Sequence, residues 1–289
     1  MLKIGQIDYA NCSPLFHVLR KEFDCSGYEF VFGVPAELNG LLLADKVDVC
    51  PSSSIEYAYH PDRYLILPQL SISSIGAVAS VLLFSPVPIT NLGGGLIRLS
   101  SESATSVNLL KILIRQRFGL SCRYETVPSV TIDAEDDSSA LLLIGDSALK
   151  MSLEKSAPYI YDLGELWHLW TGYPFVFALW LCRKEVADDS ALQKLCLQLV
   201  EAKNIVSGQL EQIVAGAKEA GWMGKERLLA YWRDNISYQL DEYAITGLML
   251  YYTKCFECGL IDVVPSLHFV DFLASKAKQS SEETLFIGK

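Results

Sequence analysis

The chain has 289 residues, 51% of them hydrophobic and 20% charged, with a formal net charge of −10. That balance excludes wholesale disorder, and the acidic surplus excludes nucleic acid or an anionic membrane as the main partner, because either needs a dense basic face. At this length a folded chain buries roughly 75% of its unfolded surface and has room for about two domains.

The opening "MLKIGQIDYANC" has no basic segment followed by a long apolar one, so a secretory leader is not expected and the protein is read as cytoplasmic. Apolar runs at 2–7, 28–32, 47–50, 64–70, 76–84, 95–99, 140–144 and 174–182 predict strands. Helical spacing at 14–23, 35–44, 53–59, 104–118 and 146–154 falls between them, which predicts an α/β chain with largely parallel sheets. The longest apolar stretches are broken by Pro, Ser and Gly or are too short to cross a bilayer. "FSPVPITNLGGG", residues 84–95, reads as a crossing between domains, and "TGYPFVFALWLC", residues 171–182, as the return. The expected organisation is a large lobe, 1–86 and 177–289, an inserted small lobe, 87–176, and a ligand cleft between them. Beyond residue 188 long helices take over, the last of them stopped by Gly259, and the polar tail 275–289 is expected to be loose.

Eight cysteines are scattered through apolar segments and read as free thiols; Cys255 and Cys258 form a CxxC inside a helical run, away from any redox or zinc context. His17, His60, His168 and His268 show no ligand spacing, and no metal site is expected. Asp8 ends the first strand as either a cleft acid or a solvated group, while Trp167, His168 and Trp170 either close the cleft or pack the core.

The informative feature is a construction that recurs four times. "DYANCSPLF" runs from a strand through Asn11, Cys12 and Ser13 into a helix, with Ser13 expected as the cap before Pro14. "DVCPSSSIEYA" ends a strand in Ser52, Ser53 and Ser54, with Ser53 and Glu56 in capping-box spacing. "IRLSSESATSVNLLKILI" places Ser103, Thr105 and Ser106 at a helix start, and "LLLIGDSALK" places Gly145 and Asp146 at another. Each is a strand's carboxyl end turning into a helix N-terminus. Ligands of open α/β sheets bind there, beside unpaired amides that favour an anion. Taken separately the four are caps; taken together they outline a site for a small polyanion, read as a carboxylate.

Six segments, "IDYANCSPLF", "GVPAELNGLLLADKVDVCPSSSIEYA", "ILPQLSISSIGAVASVLLFS", "LSSESATSVNLLKILI", "LLLIGDSAL" and "YDLGELWHLWTGYPFVFALW", resemble in order the chorismate dehydratases of the futalosine-type menaquinone pathway. The resemblance covers residues 3–183 closely. It implies a two-lobed fold like the type 2 periplasmic binding proteins and a cofactor-independent loss of water from chorismate, a dianionic small molecule, giving 3-[(1-carboxyvinyl)oxy]benzoate. It also implies Asn11 and Ser80 as the catalytic pair, which spacing alone does not select. The opening motif departs from the family's usual one in Ala10 and Cys12 and retains Asn11. The serines and threonines of 52–54 and 103–106 are then expected to hold the two carboxylates. A non-catalytic cytoplasmic binding or sensor protein for a small carboxylate is the alternative, and the oligomeric state stays open.

Overall fold

The computed structural model describes residues 1–127, 139–154 and 157–271. The expected loose tail, 275–289, lies outside them. Two five-stranded mixed sheets organise the chain.

The first contains β1 (Leu2–Ile7), β2 (Tyr28–Gly33), β3 (Val49–Ser53), β4 (Tyr64–Ser74) and β10 (Phe175–Arg183), in the order β2-β1-β3-β10-β4. The second contains β5 (Val81–Ser85), β6 (Leu96–Ser100), β7 (Arg123–Val127), β8 (Ala140–Ile144) and β9 (Tyr159–Asp162), in the order β7-β6-β8-β5-β9. Four strands of each sheet run the same way, and one runs against them: β10 in the first, β5 in the second. Those two are the strands that follow a passage from the other sheet, so each sheet takes its reversed strand from a crossing of the chain. The sheets are therefore mixed, and the expectation of largely parallel sheets is corrected by β5 and β10.

The passage out of the first sheet also lies earlier than expected. Val81–Ser85 is hydrogen-bonded between β8 and β9, so the chain changes sheet within 75–80 and not within 84–95. The apolar run at 76–84 conceals this because its first half is a turn, with Gly76 at φ +85° and Ala79 at φ +60°. Left-handed backbone at a non-glycine residue costs about 1–3 kcal/mol, and it marks the turn as held from outside.

Helices follow the strands: α1 (Ser13–Glu22), α2 (Pro35–Leu43), α3 (Ser54–Tyr59), α4 (Ala104–Ile112), α5 (Gly145–Glu154) and α6 (Leu163–Thr171). α4 ends six residues short of the predicted run, where residues 113–117 widen into a π-turn. β7, β9 and α6 carry no strong sequence signal; both strands lie at edges of their sheet, where half the side chains meet water. Central β10, by contrast, is buried at Phe175–Cys182, as a strand covered on both faces must be. Trp167 of α6 is fully buried against Phe175 and Tyr251 and donates its Nε1–H to the carbonyl of Pro174 at 3.1 Å, so it packs the core.

After β10 come α7 (Ser190–Gly216), α8 (Ala220–Met223), α9 (Lys225–Ala230) and α10 (Glu242–Glu257), the last ending before Gly259 at φ +70°. The segment between α9 and α10, together with α10 itself, braces the loops above the sheets. Trp232 donates to the carbonyl of Ala10 at 2.7 Å and Tyr238 to that of Asn11 at 2.7 Å. From α10, Tyr252 donates to the carbonyl of Ser54 at 2.6 Å and Tyr251 to that of Thr105 at 3.2 Å, which ties the start of α3 to the start of α4. No helix of the described residues is long and apolar enough to cross a membrane.

Candidate active site between the two sheets

The four strand-to-helix junctions converge. β1–α1 and β3–α3 on the first sheet face β6–α4 and β8–α5 on the second, across a cavity of about 510 Å³ counted to its open mouth. Six expected residues line it: Asn11, Ser53, Ser80, Ser103, Ser106 and Gly145. Its walls are apolar, with Ile7, Ile72, Val78, Val81, Ile144 and Phe177 among them.

The polar groups differ in what already occupies them. Asn11 Oδ1 and Ser53 Oγ are buried and have no hydrogen-bond partner among the described residues. Leaving such atoms unpaired costs about 1–3 kcal/mol each, so this is where a ligand would be most strongly rewarded. Ser53 is the residue before α3 yet caps nothing, and the expected capping box with Glu56 does not form. Ser13 likewise does not cap α1; Cys12 holds that position and the Ser13 hydroxyl donates to Glu219 Oε2 at 3.3 Å. On the second sheet the cap is made, Ser103 Oγ accepting from the amide of Ser106 at 3.3 Å, with the two hydroxyls 3.2 Å apart.

Ser80 sits at the end of the crossing, 1% exposed, with its carbonyl accepting the Gly145 amide at 2.8 Å. Gly145 has φ +58°, and a Cβ there would lie 2.7 Å from the ring of Tyr9, so only glycine lets the second sheet close on that ring. Sequence reasoning passes over Tyr9. Its signal was its place beside Asn11 in one loop, together with a glycine at the facing helix start. Burial, and then the charge of Glu102, pushes the Tyr9 hydroxyl well above the usual tyrosine range. Burial does the same to the thiol of Cys12. Both stay protonated at neutral pH.

Four expected binding residues stand behind the wall instead of in it. Ser52 pairs with Cys50 Sγ at 3.2 Å. Ser54 and Thr105 contact each other at 3.3 Å, and Thr105 Oγ1 accepts the Ile55 amide at 3.0 Å, joining α3 to α4. Asp146 Oδ1 accepts the amide of Ala10 at 2.9 Å, a contact between the start of α5 and the Asn11 loop; burial raises its pKa, partly opposed by that amide. Ser54, Thr105 and Asp146 thus link the two sheets, while the Ser52 contact stays within β3. Asp8 is exposed and paired with Lys218, away from the cavity.

No lysine or arginine is among the described residues that line the cavity. An anion here would be held by hydroxyls, amides and helix N-termini. β10 has two register shifts against β4, and the one between Val176 and Ala178 lets consecutive residues Phe177 and Ala178 both reach the cavity, where a regular strand would turn one away.

A family model described as menaquinone biosynthesis matches residues 2–257. The chain belongs to the menaquinone-biosynthesis family. Within reach of that family, it is 35% identical over 261 residues to the chorismate dehydratase of Thermus thermophilus, covering 85% of this chain and 92% of the relative. It is 32% identical over 187 residues to the chorismate dehydratase of Campylobacter jejuni, covering 63% and 68%. Among solved structures, a protein from Archaeoglobus fulgidus superposes with a TM-score of 0.71 at 17% identity, over 90% of this chain and 98% of that one. The periplasmic aliphatic sulphonate binding protein of Escherichia coli does so at 0.64 and 17%, over 91% and 89%. This menaquinone-biosynthesis protein therefore has the two-lobed architecture of periplasmic binding proteins, and its cavity lies between the lobes.

Proposed function

We infer that the protein is a chorismate dehydratase, converting chorismate to 3-[(1-carboxyvinyl)oxy]benzoate and water on the futalosine route to menaquinone. The observation that carries this reading is the 35% identity to a chorismate dehydratase across 85% of the chain, and it is supported by the unpaired Asn11 Oδ1 and Ser53 Oγ that line the cavity between the two sheets.

The chemistry suits such a cavity. Chorismate loses the C3 proton and then the C4 hydroxyl, which together make up the water released, and the ring becomes aromatic. As the C3 proton departs, charge spreads through C2 and C1 into the ring carboxylate, so donors fixed around that carboxylate stabilise the transition state more than the ground state. Ser103 and Ser106 at the start of α4, with Ser53 opposite, are the hydroxyls we assign to the carboxylates. Asn11 and Ser80 are assigned to the reacting carbons. A neutral carboxamide is a weak base, and Asn11 Oδ1 serves as the acceptor that orients the departing proton and hydroxyl. No step calls for a cofactor, and the compartment proposed is the cytoplasm.

On this reading the smaller lobe is built on the second sheet and begins near residue 80, a little before the expected 87. Protein dialysed against a chelator and incubated with chorismate, then resolved by chromatography and mass spectrometry, should yield a product lighter by one water. Bound but unaltered chorismate would instead identify a binding protein.

A further inference from the structure

The crossing at 75–80 delivers Ser80 to the cavity through a left-handed alanine, and something must hold it there. One carboxylate does. Asp162, at the end of β9, accepts the amide of Val78 on Oδ1 at 3.0 Å and the amide of Ala79 on Oδ2 at 2.6 Å. The same Oδ1 accepts the amide of Glu165 at 3.1 Å and so caps α6. A helix cap needs a single acceptor; the second oxygen is spent on the backbone immediately before Ser80. Gly164 follows the same design, since a Cβ there would lie 2.7 Å from the carbonyl of Gly76 and 2.8 Å from Ser74 Oγ. The first turn of α6 is thus pressed directly onto the crossing.

We propose that Asp162 is a positioning residue for the reaction: its carboxylate fixes the left-handed turn at Ala79 and thereby aims Ser80 into the cavity. The proposal rests on the assignment of Ser80 to the reacting carbons. A carboxylate is the side chain that can accept three backbone amides at once, two of them from neighbouring residues, and Asp162 lies outside the cavity lining, so its effect must pass through the turn. An amide in its place turns one acceptor into a donor facing an N–H. A serine keeps the cap and loses the clamp.

The test compares kcat, KM and thermal midpoint for Asp162→Asn, Asp162→Ser, Ser80→Ala, and the two Asp162 variants carrying Ala79→Gly. Glycine adopts φ +60° without help, so it substitutes for the clamp without touching the cap. We expect Asp162→Asn and Asp162→Ser to lose about 10- to 100-fold in kcat with KM little changed, as small misplacements of reacting groups do. Ala79→Gly should return most of that loss, and adding Ser80→Ala to an Asp162 variant should cost no more than Ser80→Ala alone. Should the Asp162 variants fold only with Ala79→Gly, the clamp is supported; should they fail to fold even then, Asp162 is a structural cap and the proposal falls. Unchanged kcat in Asp162→Ser, or a loss that glycine does not restore and that adds fully to Ser80→Ala, also overturns it. A wild-type protein that leaves chorismate intact would instead overturn the reading of the site itself.

Discussion

The two sheets repeat one plan and use it differently. Each places its strands in the order second, first, third, reversed, fourth, and each offers the carboxyl ends of its first and third members to the cavity. In the first sheet those ends carry Asn11 and Ser53, whose side-chain oxygens are unpaired. In the second they carry Ser103 and Ser106, already bonded to each other, and Gly145, which has no side chain. Equivalent positions thus divide the labour: the first sheet presents side-chain oxygens with no partner, the crossing adds a Ser80 hydroxyl that donates to the Val78 carbonyl at 3.4 Å, and the second sheet presents a preset cradle of hydroxyls and a close-fitting wall.

That contrast can be broken from either side. The largest effect is expected at Asn11: Asn11→Ala should lower kcat by on the order of 10²–10³-fold, the range for removing one preorganised polar group aimed at the transition state, with an unchanged thermal midpoint. Steady-state kinetics beside calorimetry would check it. Next is Gly145→Ala, which drives a Cβ into the Tyr9 ring at a backbone angle that disfavours it. It should cost about 1–3 kcal/mol in denaturant unfolding and reduce turnover as the second sheet stands off. Ser106→Ala comes third: with this hydroxyl on the enolpyruvyl carboxylate, where no charge develops, its removal should raise KM for chorismate by about tenfold, more than it lowers kcat.

The smallest effect is expected at Asp146, the contact between α5 and the Asn11 loop. Burial raises its folded-state pKa above that of the unfolded chain. Its favourable contribution to stability is then fully present below the unfolded value, about 3.9, and is lost as pH rises through the folded value. Asp146→Asn keeps an oxygen for the Ala10 amide and removes this dependence. Unfolding curves from pH 4 to 8 should show the wild type losing stability relative to the variant as pH rises.

How much of this was legible in the sequence follows the same division. The four junctions were, because a strand ending in small polar residues before an apolar helix is a local pattern. Which hydroxyl turns inward was not: Ser52, Ser53 and Ser54 are adjacent, and only the pairing of β3 with β10, Ser53 opposite Ala178, decides that Ser53 faces the cavity. Ser80 came from resemblance, since nothing local distinguishes it from the serines before it. The crossing was misplaced because proline and glycine at 84–95 are louder punctuation than a single left-handed alanine. Asp162 was invisible for a related reason. Its partners, Val78 and Ala79, are more than eighty residues away, and backbone amides leave no mark in a sequence. Edge strands β7 and β9 were missed because exposure blurs their alternation.

The most direct measurement is a proton NMR time course of chorismate with the purified wild-type protein, without added metal or nucleotide, against a protein-free control. The ring signals at C3 and C4 should give way to aromatic ones while the enolpyruvyl signals persist, at a rate proportional to protein. Chorismate that stays intact, with or without line broadening, would contradict the assignment of the cavity as a dehydratase site.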